Sequence, residues 1–424
     1  MDIVLDSVTL QDAALRGMRW QTEVAQTAQP GHPEDGALRN DYDMGQRQWH
    51  YYEPLWHTAQ ALRAWLALGM KPTDPAASAA IRYICRAIVD CPEKPFLHGA
   101  TVRPDGRRRG ELATTTLTDA IPGIVDAFLV SGDPELRAAL ERASVWLYNH
   151  ARDPETGFYF SFFNGETGAV SPHDTYNLPG HPEYANKRPE SEGASLLLLG
   201  QLFRHEGLRL SFRSVLDYLA SDQHEDGIWW NWSCNRINPH LAHGRYNLWI
   251  AHALLDGYAV FGDERYLAAA RRTAEFYRRA QQLDGVIPYN ISPDGKGFAY
   301  QVCGSAIAMS CLLWLRLMQI RPDRLLAEHL LLSLRFLLST QYGDDFFDEN
   351  LRGAFFESSQ LAPHTGFSVV RVRDIATTFS LQLISKCLEL LKQTACDTLE
   401  EVFDGGRAIP RLPWPSDSLL SEKP

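Results

Sequence analysis

Ser214-Val-Leu-Asp-Tyr-Leu-Ala220 runs into Asp226-Gly-Ile-Trp-Trp-Asn-Trp232, and the same plan returns as Arg272-Thr-Ala-Glu-Phe-Tyr277 running into Asp284-Gly-Val-Ile-Pro-Tyr-Asn290. A helical stretch ends in an acidic or glycine turn, an aromatic segment follows, then a loop, then a second and more apolar helix. Working outward, Ala143-Ser-Val-Trp-Leu-Tyr148 leads to Gly157-Phe-Tyr-Phe-Ser-Phe-Phe163, and Leu334-Arg-Phe-Leu-Leu338 leads to Asp344-Asp-Phe-Phe347. Weaker copies run from Leu15-Arg-Gly-Met-Arg-Trp20 to Asp35-Gly-Ala-Leu38, and from Ile81-Arg-Tyr-Ile-Cys85 to Pro95-Phe-Leu-His98. Self-similarity at a repeat of roughly 35 to 45 residues is the signature of a repeated supersecondary unit. Six copies make six helical hairpins.

The second helices are expected over 53–68, 116–130, 190–204, 245–261, 300–318 and 373–391. Several are apolar nearly all round, as in Ala194-Ser-Leu-Leu-Leu-Leu-Gly200 and Ser305-Ala-Ile-Ala-Met-Ser-Cys-Leu-Leu-Trp-Leu315. A helix with no polar face has to be buried on every side. The first helices carry charge along one stripe, as in Glu264-Arg-Tyr-Leu-Ala-Ala-Ala-Arg-Arg-Thr-Ala-Glu-Phe-Tyr-Arg-Arg279. Six amphipathic helices alternating with six buried ones are satisfied by a double ring, an all-α (α/α)6 toroid, with an open solenoid of hairpins as its rival. The reading is one toroid domain over residues 1–396 and a Pro-rich tail over 397–424, in which Trp414 is an anchor.

Composition narrows the function. Of 424 residues 45% are hydrophobic and 22% charged, which is ordinary for a globular protein, and the net charge of -11 argues against phosphate-rich partners such as nucleic acid. The one basic run, Arg107 to Arg109, reads as a solvated loop after Asp105-Gly106. No stretch has the length of a membrane span, and the N-terminus lacks a basic, then apolar secretory pattern, so the chain reads as cytoplasmic. Seven cysteines without a close pair suit a reducing compartment and make a zinc cluster improbable. No nucleotide loop, dinucleotide fingerprint or calcium loop occurs, and no cofactor is expected.

This organisation resembles the six-hairpin glycosidase-like superfamily, which includes unsaturated glucuronyl hydrolases, N-acylglucosamine 2-epimerases and toroidal polysaccharide lyases. The resemblance spans roughly residues 10 to 395 and is architectural. It implies a carbohydrate-active enzyme, and it carries no catalytic residue over. Two related toroids fit less well. Gly343-Asp-Asp-Phe-Phe-Asp348 has the wrong spacing for the acid of class II terpene cyclases, and Cys234, Cys303 and Cys311 lack the adjacent His that lanthionine cyclases and prenyltransferases need for zinc.

In a double ring the inner-helix N-termini open on one mouth, where their partial positive charge favours anions. Polar residues in those first turns are therefore the candidates. The first start offers Glu53 and His57, which would share a face at i, i+4, with Asp41 and Asp43 just upstream. The second offers Asp119, about a turn inside a buried helix, where an unpaired carboxylate is costly. In the third, Glu190 and Glu192 are more acid than capping needs, and Glu192 is expected to face the cavity. The fourth is the richest, with Trp229, Trp230, Trp232, His243, Arg245, Tyr246 and Asn247, where aromatic faces suit sugar rings and Arg245 suits a carboxylate. The fifth supplies Tyr289, Asn290, Tyr300 and Gln301, and the sixth His364, Arg371, Arg373, Asp374 and Thr377.

Three functions fit these types. A glycoside hydrolase would use two carboxyls, with Asp119 and Glu192 preferred over Asp43, Glu53 and Asp374. On an unsaturated uronide a single acid/base would hydrate the ring double bond while Arg245 grips the sugar carboxylate. A lyase or epimerase would take His57, His243 or Tyr246 as base, with Arg245 and Asn247 stabilising an enolate-like intermediate. A non-catalytic toroid binding a glycan or protein would pair off its inner-helix starts and leave no open cavity. The partner expected in the first two readings is a small molecule or oligosaccharide.

Overall fold

The computed structural model describes residues 3–104, 109–171, 186–232, 240–297, 302–357, 371–404 and 408–421. Six helices form the outer layer: α1 (Ser7–Arg19), α3 (Pro75–Ala87), α5 (Pro134–Trp146), α7 (Glu206–Asp222), α9 (Glu264–Ala280) and α11 (Arg324–Ser339). Each is followed by an inner partner: α2 (Pro54–Ala67), α4 (Thr114–Ser131), α6 (Ser195–Leu202), α8 (Tyr246–Phe261), α10 (Gly304–Ile320) and α12 (Asp374–Thr394). Outer helices carry ordinary start signals, since the carboxylates of Asp6, Asp133, Asp263 and Asp323 accept backbone N–H groups of the first turn. Inner helices are different. None has a hydrogen-bonding side chain at its own N-cap, so their positive ends are left to whatever lies in the mouth.

The repeated glycine turns have a common cause. Gly36, Gly99, Gly227, Gly285 and Gly353 all have φ between 88° and 96°, and an added Cβ would sit within 2.6 Å of a carbonyl oxygen in the next outer helix: Ala79, Arg142, Arg272, Leu332 and Arg16 respectively. Only glycine allows both the left-handed backbone and that approach. A glutamine usually reinforces the contact. Gln26 donates to the carbonyls of Gly36 and Ala76, Gln223 to those of Gly227 and Ala269, and Gln341 to those of Gly353 and Ala13.

The series is cyclic, because Gly353 and Gln341, after α11, meet α1. Closure is repeated in the inner layer, where α12 packs on both α1 and α2. Gln21 donates to Thr378 and accepts from the Trp65 indole, each at 2.7 Å, and Gln382 donates to Gln60 at 3.0 Å. At the mouth, β9 (Arg371–Arg373) pairs with β1 (Asp41–Asp43), which also pairs with β2 (Gln48–His50). An open solenoid would have none of these bonds. Three further two-stranded ribbons knit neighbouring loops: β3 (Glu111–Ala113) with β5 (Phe162–Asn164), β4 (Tyr159–Phe160) with β6 (Lys187–Arg188), and β7 (Ala242–His243) with β8 (Asn290–Ile291).

Residues 397–424 are not only an extended tail. They include α13 (Leu399–Asp404), against α11 and α12, and α14 (Asp417–Ser421), against α6 and α8. Between these helices the Trp414 ring lies 4.1 Å from the Arg63 guanidinium and 4.0 Å from the Lys386 ammonium, and the Ser416 amide donates to Asp126 at 2.6 Å. The segment thus covers the end of the axis opposite the mouth, leaving above it a cavity of about 100 Å³ lined by Gln60, Trp249, Met309, Phe379, Gln382 and Trp414. No helix among the described residues is long and apolar enough to cross a membrane.

Two glycines test this account. Gly353→Ala should cost about 3 kcal/mol in urea unfolding, since both its φ and its contact with Arg16 forbid a side chain. Gly262→Ala, with φ 67° but open space around it, should cost only about 1 kcal/mol. Equal losses would rule out the helix contact as the reason for the turn.

Candidate functional site

The mouth is built from the loops that precede the inner helices. Asp119, the sixth residue of α4, is half-buried and has one carboxyl oxygen without a hydrogen-bond partner. Its backbone carbonyl accepts from Gln60 at 2.7 Å, which fixes this turn of α4 against α2. Burial pushes the Asp119 carboxyl well above the usual carboxylate range, Glu190 and Glu53 add to the rise, and Arg188 and Arg245 oppose it.

Beside it lies a buried ion triad. Arg188 forks onto Glu190 at 2.8–2.9 Å and reaches Glu192 at 2.6 Å, while Thr118 donates to Glu190 at 2.9 Å. Burial alone would raise Glu190, but Arg188 and these donors hold it below the usual range; Glu192 is driven well above it by burial, with Glu190 adding to the rise. Glu192 therefore does not open on the cavity as expected. Its side chain is 3% exposed, with its oxygens on Arg188 and on the Ser191 amide. The cause is local: α6 begins only at Ser195, and the left-handed Gly193 and Ala194 turn the chain sharply between the acids and the helix.

Glu53 is the N-cap residue of α2, with φ -145° and ψ 59°, so it is not on the helical face of His57. One of its oxygens accepts from the Trp56 indole at 3.0 Å, and the other lies 3.3 Å from Arg103. His57 turns the opposite way and its Nδ1 bonds the carboxyl of Asp374, the first residue of α12. Both are fully buried. Burial, then the charge of Arg373, drives His57 well below its ordinary value, and burial raises Asp374 well above its own. The pair is thus neutral, with His57 Nε2 lacking a partner.

On the far wall His243 accepts the Arg245 amide at Nδ1, so the proton belongs on Nε2, 3.1 Å from the Tyr289 hydroxyl. Burial, then Arg245, depresses His243, and burial lifts Tyr289 to about 12. The Arg245 guanidinium donates to Ser305 at 2.8 Å and pairs with Glu357 at 3.2 Å, and Glu357 accepts the Ser305 amide at 2.9 Å. Glu357, which the sequence did not single out, is the carboxylate that caps α10. It commits part of Arg245 to structure rather than to substrate.

The tryptophan-rich loop is placed differently from its expected role. Trp229 and Trp232 are fully buried; the Trp229 indole donates to the Leu219 carbonyl, and Trp232 packs on Phe158 and Tyr218. Neither offers a ring face to a sugar. Trp230 is half-buried and donates to Asp226, and Asn247 accepts the Trp229 amide, tying the loop to α8. Tyr246 is buried, 5.8 Å from the Arg188 guanidinium. Asp43 caps the β1–β2 turn by accepting the Gln46 amide at 2.9 Å. Tyr300, Gln301, His364, Arg107 and Arg108 lie outside the described residues. The structure thus brings together Glu53, Asp119, the Glu190–Arg188–Glu192 triad, the His57–Asp374 pair and Arg245. Arg103 and Glu357 had no pattern in the sequence that could have found them, because each acts across a gap between hairpins.

No family model and no curated protein matches the chain in sequence. In structure it is similar to an unsaturated glucuronyl hydrolase specific for heparin, at 14% identity over 92% of this chain and 99% of that one, TM-score 0.64. It is similar also to a D-mannose isomerase, at 15% identity over 90% and 97% of the two chains, TM-score 0.63. A third is the cellobiose 2-epimerase of Bacillus thermoamylovorans, at 12% identity over 89% and 99%, TM-score 0.63. The fold shared with these structures is the (α/α)6 toroid. At these identities the likeness is one of fold.

The pKa directions have a measurable consequence. Below about pH 6.5 the unfolded chain takes up protons that the buried His57 and His243 refuse, so both groups withdraw stability as pH falls. Asp119, Glu192 and Asp374 act oppositely: above about pH 4 the unfolded chain loses protons that the fold keeps, so stability falls as pH rises toward their folded values. In NMR the ring signals of His57 and His243 should keep their neutral positions from about pH 7.5 to about pH 5.5, and titration of either in that window would refute the burial argument.

Proposed function

We propose that the protein is a carbohydrate-active enzyme that hydrolyses a glycosidic linkage, with Asp119 as proton donor. The observation that carries this reading is the Asp119 carboxyl itself: a mostly buried residue that keeps some exposure, with one buried oxygen lacking a partner, and raised by burial so that it holds a proton to give. Glycosidic cleavage needs a second carboxyl of the opposite kind. Glu53 fits better than Glu192, because its side chain is 17% exposed and its oxygens are aimed by Arg103 and Trp56, whereas Glu192 is closed inside the triad. Inner-helix starts without a side-chain cap at their own N-cap, α10 with its Glu357 apart, suit the oxygen-rich surface of a sugar. The hydrolase and sugar-isomerase names among the structural neighbours support the substrate class.

A second reading rests on the imidazoles. His57 and His243 are neutral, and isomerisation or epimerisation would use an imidazole next to a carbonyl carbon; His243 has Nδ1 occupied by the Arg245 amide, which leaves His57 Nε2 as the candidate nitrogen. Both are almost fully buried, which favours the carboxyl reading.

The deciding experiment is a panel of unsaturated heparin disaccharide, cellobiose and mannose in deuterated buffer. Hydrolysis releases a new reducing end or an opened unsaturated sugar, whereas epimerisation places deuterium in recovered sugar. Asp119→Asn should lower kcat by at least about a hundredfold, and Glu53→Gln by a similar factor. If both variants keep full turnover on every sugar the wild type converts, the carboxyl assignment fails.

A further inference from the structure

The buried tryptophans leave open which aromatic surface a sugar would meet. Tyr52, adjoining Glu53, is 41% exposed, and both its backbone and its ring are held from within. Its amide donates to Asn40 Oδ1 at 2.7 Å, and beneath its ring, 4.3 Å from the centroid, lies the Arg103 guanidinium. Arg103 is only 2% exposed, is flanked on another side by Phe162 at 5.7 Å, and reaches Glu53 at 3.3 Å. Its Nε is buried without a hydrogen-bond partner, and the terminal nitrogen that faces Glu53 is buried as well. A guanidinium with unmet donors is costly to bury, and here it supports an exposed ring beside a candidate catalytic carboxylate.

Resting on the carbohydrate reading above, we propose that the outer face of Tyr52, supported from below by Arg103, is a stacking platform for a pyranose ring next to Glu53. Aromatic faces attract the C–H face of a sugar, and a ring already immobilised loses little freedom when it binds. This would assign to the first and second hairpins the role expected of the fourth-hairpin tryptophans. Arg103 here is a positioning residue that keeps both the platform and the Glu53 carboxylate in place.

Binding can be tested apart from turnover, by saturation-transfer NMR and calorimetric titration with cellobiose and with an unsaturated heparin disaccharide. Wild-type protein and Asp119→Asn should bind at least one probe alike. Tyr52→Ala should weaken that binding about tenfold, and Tyr52→Phe should keep it within about twofold. Arg103→Met, which leaves the ring unsupported, should also weaken it. The platform is overturned if Tyr52→Ala binds like wild type, if Tyr52→Phe loses binding as fully as Tyr52→Ala, or if neither probe binds the wild type. Should Asp119→Asn retain turnover while Tyr52→Ala loses binding, the acid assignment fails and the platform stands.

Discussion

The close approach of each turn glycine to the carbonyl of the next outer helix organises the molecule. A Cβ at Gly227 would lie 2.4 Å from the Arg272 oxygen, and one at Gly36 would lie 2.2 Å from that of Ala79. With five of the turns meeting the following outer helix in this way, the angular step between hairpins is repeated, and repetition brings Gly353 onto α1. The ring closes because each local contact has nearly the same geometry. Long-range bonds such as Gln21 to Thr378 then fix a closure that the turns have already prepared.

That regularity accounts for what could be read in the sequence. The Asp-Gly-aromatic turns and the all-round apolar second helices follow from local rules of backbone conformation and burial, so the hairpin number, the layer of each helix and the mouth were legible. The site was only partly so. Asp119 stood out because a carboxyl inside an apolar helix is an anomaly wherever its partners are. Glu192 was misplaced because two left-handed residues delay α6 to Ser195, and the unusual conformation of Ala194 has no signal in its residue type. The tryptophan loop misled for a related reason: a cluster at a turn has the same sequence whether it faces the axis or the outer layer, and contacts with Leu219 and Tyr218 decide it. Arg103 and Glu357 meet their partners only across the packing of separate hairpins, where no spacing along the chain announces them.

Electrostatically the mouth is a set of buried pairs that leave little uncompensated charge. Arg188 neutralises one acid fully and a second in part, His57 and Asp374 are mutually neutral, and Arg245 answers Glu357. Such pairs are expensive to bury and rigid once formed. They hold the loops of different hairpins in register, so the residues that remain open, Asp119 and Tyr52, stand on a stiff frame. A pre-arranged frame of this kind suits a reaction in which the position of one proton matters.

The C-terminal segment has a consequence for traffic. With Trp414 held between Arg63 and Lys386 and Ser416 tied to Asp126, the axis has a floor. Among the described residues that end is covered, so on the proposed reading substrate and product would share the mouth. In its described residues the toroid is a cup rather than a tunnel.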